Sequence, residues 1–519
     1  MTFRVSTSSR TALRVALLLS LPALFTTALS AQEIAKLKAS DAATDDRLGF
    51  RPGVTIDGDT VLVSGSLSNG GNGATYVFQK DQGGADNWGQ VVELTATTLG
   101  NFGNYLAMDG DTAIVGSRIA NPGGYTGRGA AYIYDRDAGG TDHWGQVKQL
   151  LGPLGSGRFF GQSVALSGDT AFVAETGPYP NYGRVYVYER NQPTAGDWGL
   201  VKTIEDPASQ VLNDAFGISL DAEGDTLVVG ADGKNANKGA IYIYGRDQGG
   251  AGNWGLVQMR EGSDSVSGSH FSFTSLGLSG DVIVVGSANV GDNAAYVFER
   301  NQGGADNWGQ VKKLTASDGD PGDALGFAVA VDGDQIVVTA VSDDDMGENQ
   351  GSAYLFSRNM GGVANWGEVA KFTPSTLDDL DSFGHSAAIS GNLIVVAAIG
   401  DDDVAENSGA AYIFNAASLG DSDGDGISDD LDGCPGSNLS ATVIVGGVDS
   451  GVSNTVFANG CTLADVIDAA VSACEVDAQN HGGFVRCYGA VLNGLKREGL
   501  ISDSDKSALQ SAGAQAKLP

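Results

Sequence analysis

The chain has 519 residues, 63 of them acidic and 30 basic, for a formal net charge of −33. That sign repels nucleic acid and anionic lipid and favours solubility and divalent cations, so nucleic-acid partners are not expected. Its 77 glycines beside 42% apolar residues, with no three-residue glycine period, describe a turn-rich β protein.

Residues 1–30 carry Arg4, Arg10 and Arg14, then an apolar run from Val15 to Phe25, then Ala28-Leu29-Ser30 before Ala31. A charged start, a short apolar core and a small-residue cleavage site predict a secretory signal peptide, too short in its core to span a bilayer. No later apolar run is long enough to span either, so a secreted or cell-surface protein without a membrane span is expected. Without those three arginines, 27 basic residues face 63 acidic ones, a net charge of −36.

Beyond the leader the sequence repeats. A tyrosine and a tryptophan recur 12 apart as Tyr76/Trp88, Tyr132/Trp144, Tyr186/Trp198, Tyr242/Trp254, Tyr296/Trp308 and Tyr354/Trp366, and Tyr412 follows without a tryptophan. A period of this size signals a repeat architecture. Each repeat holds four short Val, Ile, Ala, Tyr and Phe-rich segments between Gly, Asp or Asn turns, as in FFGQSVALSG, DTAFVAE, GRVYVYER and GDWGLVKTI. Four strands per unit make a propeller blade.

The second segments begin at Asp59, Asp111, Asp169, Asp225, Asp281, Asp334 and Asn392, which counts seven blades. Nine residues earlier stand Phe50, Phe102, Phe160, Phe216, Ser272, Leu325 and Phe383, and Gly follows the Phe in four of them. Blades one, five and six depart from that dipeptide. On the Phe-Gly step, the Gly-Asp turn and the Ala-Tyr-Val-Phe strand together, residues 33–416 resemble the FG-GAP repeat family. The resemblance implies a seven-bladed, all-β propeller of the kind found in integrin alpha heads and exported bacterial proteins.

Blade seven lacks a Trp-Gly strand of its own. The orphan segment Glu33-Ile34-Ala35-Lys36-Leu37, similar to Gln310-Val311-Lys312-Lys313-Leu314, is expected to complete it as the outermost strand and close the ring.

Antiparallel strands place the one-to-two and three-to-four connections on one face, where the spacings barely vary. On the other face the Asp-to-Tyr separation runs from 15 to 21. Variable loops on a rigid scaffold are the place for ligand. Blades two and three offer Arg118, Tyr125, Arg128, Tyr179, Tyr182 and Arg184 there, side-chain types favoured at binding hot spots. Blades six and seven offer Asp343, Asp345, Asp401 and Asp403, a second and weaker candidate cation site. The repeated tryptophans read as blade packing. The D-x-D-x-D-G calcium loops of integrins are absent, because the one-to-two connection is only a tight turn such as Ser167-Gly168-Asp169.

After the propeller, DSDGDGISDDLDGCP places oxygen ligands at Asp421, Asp423, Asp425, the Ile427 carbonyl, Asp429 and Asp432, with Gly426 permitting the sharp turn. The spacing suits Ca²⁺. With Cys434-Pro435 closing it, the segment resembles one thrombospondin type 3 repeat, which implies a calcium-stiffened joint. Residues 437–519 read as a small, mainly helical module, with a strand at Ala441 to Val445, a helix start at Thr462 and a helical stripe from Phe484 to Leu495. Cys434, Cys461, Cys474 and Cys487 allow three disulfide pairings in an oxidising compartment. The expected organisation is thus a leader (1–30), a propeller (31–416), a calcium linker (417–436) and the C-terminal module (437–519).

His143, His270, His385 and His481 lack the spacing of a zinc protease, and no nucleophile elbow, phosphate loop or dinucleotide fingerprint occurs. A non-catalytic binding or adhesion protein is therefore expected, with an extracellular protein or glycan as ligand and Ca²⁺ as its ion. A lectin-like propeller, a passive envelope component and an enzyme using carboxylates across the central pore are the alternatives.

Overall fold

A computed structural model describes residues 32–416 apart from 51, 97, 99, 142, 156, 178–182, 208–213, 274, 289–292, 361–363 and 375. It further describes 434, 437, 438 and 440–516 apart from 456, 458–460, 479 and 498. The predicted leader and the candidate calcium ligands Asp421, Asp423, Asp425, Ile427, Asp429 and Asp432 lie outside the described residues.

Seven four-stranded sheets form the propeller. Six are simple antiparallel meanders of consecutive strands, as in blade three, where Phe160–Ser167, Thr170–Glu175, Arg184–Arg190 and Trp198–Glu205 follow in order. Blade seven is completed by the N-terminal strand Gln32–Leu37, which pairs antiparallel with Ala410–Asn415. The register explains the choice of strand. Lys36 stands opposite Tyr412 and Leu37 opposite Ala411, just as Lys313 stands opposite Tyr296 and Leu314 opposite Ala295 in blade five. The closing strand therefore repeats the outer-strand pattern in the same frame.

The core lies between blades. Second and third strands are buried on both faces, so they read as continuous apolar runs such as Val282–Ser287. Phe172, Ala174, Val185 and Val187 of blade three pack on Leu227, Val229, Tyr242 and Trp254 of blade four, with Phe172 edge-on to Trp254 at 4.9 Å between centroids.

Each blade enters its first strand through an apolar residue followed by a residue at positive φ. Gly103, Gly161, Gly217, Gly326 and Gly384 fill the second place at φ 83–99°. In blade one the pair is Leu48-Gly49, not Phe50-Arg51, and in blade five it is Phe271-Ser272. Leu48 donates its backbone N–H to Ser408 O (2.9 Å) and Phe271 donates to Lys238 O (3.2 Å), as Phe160 donates to Arg128 O (3.2 Å). Both apolar side chains are buried like the other phenylalanines. The even nine-residue spacing expected for these two blades is thus corrected. Blade one carries two extra residues and blade five one, and the displaced Phe50 and Phe273 emerge elsewhere.

Residues 437–516 make a separate module. A hairpin, Thr442–Val445 with Val448–Ser453, accompanies three helices, Leu463–Asp477, His481–Arg497 and Asp503–Gln515. Thr462 and Asp465 form a capping box at the first helix, and Ser502 and Asp505 form one at the third. Val443, Ile467, Phe484, Leu492 and Leu509 are buried in its core. Disulfides join Cys434 to Cys461 and Cys474 to Cys487. Among the described residues no helix is long and apolar enough to cross a membrane.

Candidate recognition face

The two faces of the propeller are built differently. On the face of the tight turns, everything recurs. At the end of the third strand stands Arg136, Arg190, Arg246 or Arg300 in blades two to five. Its guanidinium lies over the tryptophan of its own blade, 4.8–5.4 Å from the ring centroid. It pairs with the turn aspartate of its own blade, Asp111, Asp169, Asp225 or Asp281, at 2.6–3.2 Å. It also donates to a threonine of the preceding blade, Thr60, Thr112, Thr170 or Thr226, at 2.6–3.1 Å. One side chain thus ties turn, outer strand and neighbouring blade, and the repeated tryptophan is a packing residue.

Around the centre of that face runs a closed ring. The last residue of each first strand, Asp57, Asp109, Ser167, Glu223, Ser279, Asp332 or Ser390, accepts the turn glycine N–H of the next blade. The distances run from 2.5 to 3.1 Å.

The opposite face varies from blade to blade. In blades two and three the 118–129 loop joins the 157–160 segment through Gly157 N–H to Thr126 O and Phe159 N–H to Gly127 O. Arg118 lies 6.0 Å from the Phe159 ring centroid and donates to Gln162 Oε1. Gln162 in turn donates to the Tyr105 hydroxyl at 2.9 Å. Tyr125 is 38% exposed, the largest exposure among these aromatic groups. It stands beside Arg128, and a methyl group added at Gly123 would touch both side chains.

Two of the expected ligand arginines do structural work. Arg128 donates twice to Gly152 O, and Arg184 pairs with Glu205 at 3.2 Å. Arg158, not singled out by its sequence context, pairs with the buried Glu175. Tyr179 and Tyr182 lie outside the described residues. The structure therefore sets Tyr125 beside Arg128, and Arg118 beside Phe159, on two segments joined by backbone hydrogen bonds.

In blades six and seven the carboxylates hold lysines. Lys371 Nζ sits 2.8 Å from Asp318, 3.0 Å from Asp343 and 2.8 Å from Asp345, above the Tyr354 ring. Lys36 of the closing strand sits 2.5 Å from both Asp401 and Asp403, above Tyr412. Burial works against each ammonium, but the surrounding carboxylates outweigh it and hold both lysines above the ordinary range. The place that a cation would take between Asp343 and Asp345, or between Asp401 and Asp403, is filled by a side chain. Among the described residues no three His, Cys, Asp or Glu groups stand close enough to hold a metal ion.

Between the faces runs a central channel of about 640 Å³, lined by the first strands of all seven blades. Its loop-face mouth is aromatic. Phe50 stacks on His385 at 5.0 Å, and Phe327 meets the same imidazole edge-on at 5.0 Å. Phe273 stands at the rim, near His270, which reaches Asp232 at 3.0 Å. Deeper, Asp221 occupies the level where other blades have Thr55, Ala107, Ala165, Gly277, Ala330 and Ala388. It accepts backbone N–H groups from Leu278 (2.7 Å) and Ala222 (2.8 Å). Burial raises its carboxyl to about 7, against the pull of those two donors. Sequence reasoning missed this channel site, although the extra residues of blades one and five and the lone acid of blade four were its signals.

Known proteins give the repeat an identity. The FG-GAP repeat model matches residues 32–78, 88–134, 208–244, 308–356 and 366–414. No curated protein matches the chain. Among solved structures, the Cps50 (Swd1) β-propeller domain of Myceliophteria thermophila is similar over 74% of this chain and 99% of its own, with 11% identity and a TM-score of 0.47.

Proposed function

We propose that this chain, which carries FG-GAP repeats on a seven-bladed propeller, is an exported binding or adhesion protein that recognises an extracellular protein or glycan through its variable face. The observation that carries this reading is the contrast between faces. Blades two to five share one arginine clasp on the turn side and all seven blades share its ring of turn-glycine hydrogen bonds, while the loop side presents unlike side chains on the same frame. Around Arg118, Tyr125 and Arg128 the patch combines an exposed ring with a cationic rim in a strongly acidic protein, the composition of a contact site rather than of a solvated loop. FG-GAP propellers are typically non-catalytic, which fits a binder.

Export is supported by the charged and apolar start of the sequence and by the two disulfides, which persist in oxidising compartments. Calcium belongs to the linker. Asp421, Asp423, Asp425, the Ile427 carbonyl, Asp429 and Asp432 supply hard oxygen ligands at calcium spacing, and the ion would stiffen that segment. The lectin-like alternative is favoured by one feature, the aromatic channel mouth, since sugar rings pack on aromatic faces.

Substituting Arg118→Ala together with Tyr125→Ala should lower ligand binding on an array of glycans and surface proteins at least tenfold, about 1.4 kcal/mol. The melting temperature should stay put. Unchanged binding by the double variant would remove the loop face from the account.

A further inference from the structure

We infer that the outer loops of blades six and seven dock an amphipathic segment of a partner protein, one that carries apolar side chains between lysines or arginines. The inference rests on reading the loop face as the recognition face, and it concerns a surface distinct from the Arg118 and Tyr125 patch. The loop that builds it is written twice in the chain, as DDDMGENQG at 343–351 and DDDVAENSG at 401–409. In both copies the first carboxylate is buried and accepts the hydroxyl of the blade tyrosine, Tyr354 at 2.8 Å and Tyr412 at 2.6 Å. It also accepts the backbone N–H two residues on. That anchoring leaves the tip outside. Met346 is 75% exposed, more than any other large apolar side chain among the described residues, and Val404 is 51% exposed at the same place in the next loop. Leu380, 58% exposed, lies on the segment that links the two loops. Its N–H donates to Glu348 O (2.7 Å), and the adjacent Asp381 O accepts Gly400 N–H (2.9 Å), so one backbone network carries all three apolar tips.

Leu380 stands in a backbone conformation that other blades give to other residues. It holds φ +71°, and the residues at the same place before the first strand in blades one, three, five and six are Asp45, Gly157, Gly268 and Gly322, all at positive φ. Glycine and aspartate adopt that conformation readily, whereas a leucine is strained there, and an exposed leucine gains no burial to offset the strain. A partner that covers it supplies the missing burial. Charge sets the kind of partner. The lysines at hand are already committed, Lys371 to Asp318, Asp343 and Asp345, and Lys36 and Lys38 to Asp401 and Asp403. Around the apolar tips Asp344, Glu348, Asp378, Asp379, Asp402 and Glu406 are exposed, and none of them pairs with a lysine or arginine among the described residues. An anionic ligand is therefore repelled. No three acidic groups among the described residues converge as a small divalent ion requires, and the apolar tips would coordinate nothing. Apolar anchors flanked by cations match both properties of the surface, the anchors keeping water from the charge pairs around them. The flexible thioether of Met346 adapts to anchors of differing shape, and loops already held by hydrogen bonds lose little entropy on binding.

Fluorescence anisotropy on the chain lacking residues 1–30, at about 0.15 M salt, tests this with the labelled peptide Lys-Leu-Ala-Lys-Leu-Ala-Lys-Leu-Ala-Lys, capped at both ends. Counterparts with serine for every leucine, or with glutamate for every lysine, should bind at least about tenfold more weakly. Met346→Ser combined with Val404→Ser should lower affinity for the parent peptide about tenfold or more. Both side chains are exposed, so that variant should keep its melting temperature. Leu380→Gly separates binding from folding: it should weaken peptide binding yet melt at or above the wild-type temperature, because glycine relieves the left-handed strain. Leu200→Ser, at a side chain 53% exposed on the outer strand of blade three, should change nothing. Equal affinity for the serine counterpart would assign the binding to the net charge of the chain and overturn the inference. So would an unaltered Met346→Ser, Val404→Ser variant, or a matching loss in Leu200→Ser. Arg118→Ala with Tyr125→Ala should leave peptide binding intact, and loss of the peptide site should leave array binding through Arg118 and Tyr125 intact, so the two readings fall separately.

Discussion

Single residues carry the joints between blades, and their logic is steric before it is energetic. A methyl group at Gly161 would stand 2.3 Å from Ala130 O, at a φ of +83° that side chains rarely adopt. Gly161→Ala should therefore destabilise the protein by about 2 kcal/mol or more, read as a lower urea midpoint at unchanged slope. A midpoint equal to that of the wild type would mean that the blade junction yields. Such a glycine was legible where a phenylalanine preceded it. Leu48-Gly49 and Phe271-Ser272 were not, because an aromatic residue one or two places later imitates the expected slot, and only the positive φ at Gly49 and Ser272 reveals the true pair. Asp221 gives a second prediction at this scale. Its carboxyl titrates near 3.8 when unfolded and is raised to about 7 by burial in the native wall. The native state holds the proton more tightly between those values, so the stability contributed by this group is fully present below the lower one. It is lost as pH rises through the upper one. The melting temperature of the wild type relative to Asp221→Asn should accordingly fall between about pH 4 and pH 8, and parallel profiles would show that the acid is not protonated in the fold.

At the scale of elements, the closing strand was the clearest expectation. The similarity of residues 33–37 to residues 310–314 encodes both the partner and the register, since Lys36 and Leu37 stand opposite Tyr412 and Ala411 as Lys313 and Leu314 stand opposite Tyr296 and Ala295. Lys36 then fastens the ring to Asp401 and Asp403. Deleting residues 32–37 would uncover Tyr412 and Ala411, both fully buried, and take the Lys36 ammonium from the buried Asp401, leaving Asp403 with Lys38 alone. The melting temperature should drop by at least about 5 °C, and an unchanged melt would mean that the strand adds nothing to blade seven. In the C-terminal module the first helix was readable from Thr462, whose side chain and Asp465 cap it. The third helix, Asp503–Gln515, escaped notice because its Ser, Ala and Gly residues show little apolar periodicity, although Ser502 and Asp505 spelled the same cap. The acids of blades six and seven looked like cation ligands for a similar reason. A sequence shows Asp343, Asp345, Asp401 and Asp403 near one another, and the lysines that fill them arrive from an outer strand of the same blade.

For the whole molecule, the fold was legible because one blade is written seven times, and what is repeated is what every blade needs. Function is hard to read for the opposite reason. Arg118, Gln162 and Tyr105 come from two blades and meet only once those blades pack, and Phe50 meets His385 across the closure of the ring. The division between a constant turn face and a variable loop face is the account's central claim, and binding tests it most directly. The chain lacking residues 1–30 should be applied to an array of glycans and extracellular proteins, once with calcium and once with chelator. The account predicts selective binding to one ligand class, abolished by Arg118→Ala with Tyr125→Ala and weaker in chelator as the linker loosens. Absence of selective binding in either buffer would contradict it and leave the propeller as a passive structural part.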